Sequence, residues 1–67
     1  MKLTTEEIPV VEMTKAEYKE LYENFYTNGY RWTISGHTIT MWWNEDGHNM
    51  VGIEGEDRLR DVRIANE

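Results

Sequence analysis

Bond-making or metal chemistry in this chain would have to come from two histidines, one serine and a surplus of carboxylates. His37 and His48 could ligate a metal only by converging with acids. They fall near opposite ends of the expected central strand, roughly 20 Å apart at ~3.3 Å per residue, so they do not share an ion. The group Glu45-Asp46-His48 lacks the alternating-ligand spacing of a calcium loop and reads as a solvated hairpin tip. Ser35 has His37 two residues away, but no glycine-flanked elbow surrounds it, and a serine beside a histidine is not a triad. It reads as a turn former. Glu17, Glu20 and Glu23 alternate with Lys15 and Lys19 in the manner of a solvated helix face, where Lys19 and Glu23 can pair across one turn. Gly47, Gly52 and Gly55 are not spaced as a phosphate loop. The residues therefore imply no catalytic group, no metal and no cofactor.

The 67 residues carry 13 acids against seven Lys and Arg, a net charge of -6. Six acids and three bases lie in residues 1–29, seven and four in residues 30–67, so neither half is a basic arm or an acidic tail. A negative field repels phosphate, which argues against direct nucleic-acid binding and against adhesion to anionic membranes. The sequence has no cysteine, as in reducing compartments. It also has no apolar leader in residues 1–7 and no stretch near the ~20 apolar residues of a membrane span. A cytoplasmic protein is expected. A chain this short buries about 60% of its unfolded surface, so without disulfides its stability depends on dense aromatic packing or on association.

These side chains need a scaffold, and local signals outline one. Residues 1–7 are polar and read as flexible. Ile8 to Met13 reads as an extended segment that Pro9, lacking an N–H, confines to an edge strand or an ordered arm. Thr14-Lys15-Ala16-Glu17 is a capping box, with Met13 and Tyr18 placed as a hydrophobic staple. Tyr18, Leu21, Tyr22 and Phe25 share one face of a helix over about 14–28, which Asn28-Gly29 stops. Strands are expected over about 30–35, 37–43, 49–54 and 59–65, the last chosen over a short helix. Ser35-Gly36 forms a two-residue turn pairing Ile34 with His37 and Trp32 with Ile39.

The second hairpin admits two registers. A two-residue Asp46-Gly47 turn sets Met41 opposite Gly52 and Trp42 opposite Val51. A three-residue loop with Gly47 left-handed sets Met41 opposite Val51, Ile39 opposite Ile53 and Trp42 opposite Met50. The second stacks apolar on apolar and is preferred, because a one-residue slip exchanges the faces of a strand.

The expected fold is a single α+β domain over residues 1–67, with one N-terminal amphipathic helix packed on one face of a three- to four-stranded antiparallel β-meander. The helix covers the face of Tyr30, Trp32, Ile34, Ile39, Met41, Trp43, Val51 and Ile53. The other face is open, and there Trp42 and Met50, rimmed by Thr38, Thr40, Thr33 and Arg31, form a protein-binding patch. The expected function is non-enzymatic protein binding through this face or a sheet edge, in the manner of a phage- or mobile-element-type inhibitor or adaptor. Two alternatives stand beside it. Glu54, Glu56, Asp57 and Asp61 could imitate nucleic-acid phosphates toward a basic partner, or the open face could join two copies as a homodimer.

Overall fold

Thr14 caps the helix in the way its spacing predicts. In the computed structural model, which describes residues 1–65, the Glu17 N–H donates to the Thr14 hydroxyl at 3.1 Å. The Thr14 N–H donates to the Glu17 carboxylate at 2.9 Å. Both halves of the capping box are thus closed. Helix α1 runs Lys15–Asn24. It ends earlier than the Asn28-Gly29 signal suggests, and the chain continues in turns to Gly29 and Tyr30, both at positive φ. There the Tyr30 N–H donates back to the Phe25 carbonyl at 3.0 Å.

The helix is not N-terminal. Strands β1 (Lys2–Thr5) and β2 (Pro9–Met13) precede it, and β3 (Trp32–Ile34), β4 (His37–Glu45), β5 (His48–Ile53) and β6 (Leu59–Ile64) follow. All six join one sheet in the order β1-β2-β6-β5-β4-β3, curled into a half-barrel with α1 against its concave side. The expected three- to four-stranded antiparallel meander is therefore corrected. The meander exists as β3 to β6, but the sheet is larger and mixed, because β6 also pairs in parallel with β2.

Two local expectations at the N-terminus fall with it. Lys2–Thr5, read as part of a flexible stretch, pairs antiparallel with β2. Pro9 does not hold β2 at an edge, since β2 lies between β1 and β6. Proline is the first residue of β2, and pairing with β6 begins at Val10, so its missing N–H interrupts no bond on that side. What draws the two halves together is apolar. Leu3, Val11 and Val62 face one another across three strands and turn inward with the core.

The buried cluster comprises Val11, Met13, Leu21, Phe25, Ile34, Ile39, Trp42, Val51 and Ile53. Of the predicted helix face, Leu21 and Phe25 are buried and Tyr18 is partly so, while Tyr22 is exposed.

The hairpin between β4 and β5 combines both expected registers. Asp46 and Gly47 have φ of 53° and 78°, the signature of a two-residue type I′ turn, and Glu45 stands opposite His48. Met41 accordingly faces Gly52 and Trp42 faces Val51, yet Ile39 still faces Ile53. The extra residue is absorbed by a β-bulge at Thr40. Thr40 and Met41 both turn to the convex side, and from there on the alternation is inverted. Gly52 makes room for this: a Cβ there would lie 3.3 Å from both the Met41 Cβ and the Leu59 Cδ2.

Candidate functional site

The inverted alternation decides which tryptophan is a surface group. Trp42 is 7% exposed, whereas Trp43 and Met41 are each 52% exposed. The Trp42 ring lies beneath the helix, with centroids 5.5–6.0 Å from Tyr18, Tyr22, Phe25 and Tyr26. Its indole N–H donates to the Asn49 side-chain carbonyl at 2.9 Å. The expectation of Trp42 on an open face, paired with Met50, is thus overturned; Met50 stands opposite Trp43. Thr40 is exposed on the convex side. The Thr38 hydroxyl bonds with that of Thr33 at 2.9 Å, and Arg31 is held by Glu54 at 2.6 Å. Of the five residues expected to form one patch, Trp42 is the one the fold turns to the other face.

What the fold assembles instead is an open sheet edge. Strand β3 covers only His37 to Ile39 of the nine-residue β4. Met41 to Glu45 have β5 on one side and, among the described residues, no strand on the other. The tight turn makes Glu45 and His48 a hydrogen-bonded pair. Trp43 and Met41 therefore also direct their backbone groups to β5, while Trp42 and Asn44 direct theirs away. On the far side of the bulge the same alternation brings the Glu54 N–H to the Thr38 carbonyl at 2.8 Å. Among the described residues, no hydrogen bond reaches the main chain of Trp42 or Asn44 on the outward side. Two N–H and two C=O groups stand in a row, the template on which another strand pairs.

Side chains flank this edge on both faces. On the convex side lie Met41 and Trp43. On the concave side the Tyr22 and Tyr26 rings close around Trp42, both with more than half their surface exposed. The Asn44 amide reaches the Tyr18 hydroxyl at 3.4 Å. One residue does signal the exposure of Met41 and Trp43: Gly52, isolated within a strand, marks a bulge or a close approach.

The Ser35 hydroxyl donates to Glu17 at 2.8 Å. Burial alone would raise the Glu17 carboxyl, but the Met1 ammonium, the Thr14 N–H and the Ser35 hydroxyl outweigh it and hold it at about 2 against an ordinary 4.5. His37 and His48 start different strands at opposite ends of β4, and among the described residues no three His, Cys, Asp or Glu groups are placed to hold a metal. Of the acidic row, Glu54 is paired with Arg31. Arg60 bonds Glu56 through two nitrogens at 2.7 and 2.9 Å, which lowers the Glu56 carboxyl. Asp61 lies on β6 between Val10 and Met50, apart from the β5–β6 loop that carries Glu54, Glu56 and Asp57. The row is half neutralised and split between two places.

No described helix is long and apolar enough to cross a membrane. Compared with protein-family models, characterised proteins and solved structures, the chain matches none.

Proposed function

We propose that this protein is a non-enzymatic protein-binding module that captures a segment of a partner protein on the open half of β4. The observation that supports the reading is that, among the described residues, no strand lies beside Met41–Glu45 on the outer side, where two exposed apolar side chains flank unpaired backbone groups. Strand addition of this kind draws affinity from main-chain hydrogen bonds and specificity from side chains on either face. Met41 and Trp43 would meet alternate residues of the partner on one face, and Tyr22 and Tyr26 the others. Tryptophan and tyrosine are frequent interface anchors, and methionine adapts to varied surfaces. A partner segment held in this way is masked from other contacts, which is how such a module acts as an inhibitor or adaptor.

Affinity selection from a random peptide library against the immobilised protein tests this. Ligands should be enriched on the parent protein and lost on Trp43→Ala, which leaves the buried cluster untouched. Ligands retained equally by both proteins, or no ligand at all, would contradict the reading.

A further inference from the structure

Resting on that reading, we infer that the occupant of the β4 edge is a basic, extended segment that adds antiparallel to β4, in line with β3. The backbone groups of Trp42 and Asn44 are two residues apart on one side of the strand, so only an extended chain can satisfy both pairs. Antiparallel pairing continues the direction of β3 and is the more stable per residue. The segment then starts beside the Asp46-Gly47 turn and ends near Trp32.

Charge selects the composition. Glu45 and Asp46 stand at the start of this track, with His48 opposite Glu45. Along α1, Glu20 accepts the Trp32 indole N–H at 2.9 Å, and Glu23 meets Lys19 only at 3.9 Å. Of the neighbouring cations, Arg31 is already joined to Glu54 and Lys19 lies beside Glu23. The exposed Tyr22 and Tyr26 rings supply faces on which Lys or Arg side chains can rest. Residues of the segment opposite Trp42 and Asn44 point to this tyrosine side, and those opposite Met41 and Trp43 lie on the convex side. The pattern is basic alternating with apolar.

A second copy fits less well. Each chain brings a charge of -6. The two-fold register that satisfies both Trp42 and Asn44 centres on Trp43 and sets Glu45 of one copy against Met41 of the other.

The test is a titration of isotope-labelled protein with the peptide Lys-Val-Arg-Ile-Lys-Val-Arg and with its counterpart carrying Glu at every basic position. The basic peptide should slow exchange of the Trp42 and Asn44 amides by tenfold or more, and the acidic one should bind at least tenfold more weakly. Asn44→Pro removes an outward N–H without touching the β5 ladder, and should weaken the basic peptide about tenfold while a thermal melt reports retained folding. Equal binding of the two peptides, protection centred away from Met41–Glu45, or no binding of the basic peptide would overturn the inference. So would sedimentation as a dimer with those amides already protected. Library ligands that depend on Trp43 but are not basic would overturn the inference and leave the protein-binding reading in place.

Discussion

The sheet ends on one side in β1 and on the other in β3, and these borders are finished differently. Strand β1 is four residues long, carries the exposed Lys2, and is tied down from within. Arg60 donates to the Thr4 carbonyl at 2.7 Å and the Val10 carbonyl at 2.9 Å. Short length and an edge lysine are standard protection against unwanted pairing. Strand β3 is shorter still, but it stops after three residues and exposes the rest of β4, whose open stretch contains no lysine and no proline. One border is protected and the other keeps apolar side chains beside free backbone groups, which is the difference the proposed binding rests on.

The contrast can be attacked first through its two tryptophans. Trp42→Ala should cost about 3–5 kcal/mol in chemical denaturation, because it empties the space between the helix and the sheet. On the protected border, Arg60→Ala removes bonds to two carbonyls and leaves Glu56 unpaired. A loss of about 2–3 kcal/mol is expected, with faster amide exchange across β1. Glu17→Gln should cost about 1 kcal/mol, because the amide can still accept the Thr14 N–H but loses the charge that pairs with the Met1 ammonium. The native Glu17 carboxyl is depressed to about 2, so its contribution is complete above the ordinary value of 4.5 and declines as pH falls from there toward 2. Acid titration of stability should show that decline, and Glu17→Gln should flatten it. Trp43→Ala should change stability by no more than about 0.5 kcal/mol, since its side chain is half exposed. A large loss there would mean that the open border is structural.

Much of the local structure was legible in the residues. The capping box at Thr14 and Glu17, the Ser35-Gly36 turn with Trp32 opposite Ile39, and the strand near residues 59–65 all stand as read. These depend on neighbours in sequence. The parallel pairing of β2 with β6 depends on contacts across some fifty residues, and no local pattern encodes it. Lys2–Thr5 pairs with its near neighbour β2, but its polar residues lack the alternation that marks a strand. The face of Trp42 was lost to a single residue. Strict alternation from Ile39 placed Trp42 outside, and the bulge at Thr40 turned it in. Two registers competed, and the chain keeps part of each by inserting an irregularity that period-two reasoning excludes. The candidate site shifted with it, from the Trp42 face to the strand's free border.

Amide hydrogen exchange along β4 in the free protein probes that border directly. Met41, Trp43 and Glu45, bonded to β5, should exchange slowly, while Trp42 and Asn44 exchange at rates near those of open strand edges. Uniform protection from Met41 to Glu45 would mean that something already covers the edge, and binding there would have to be abandoned.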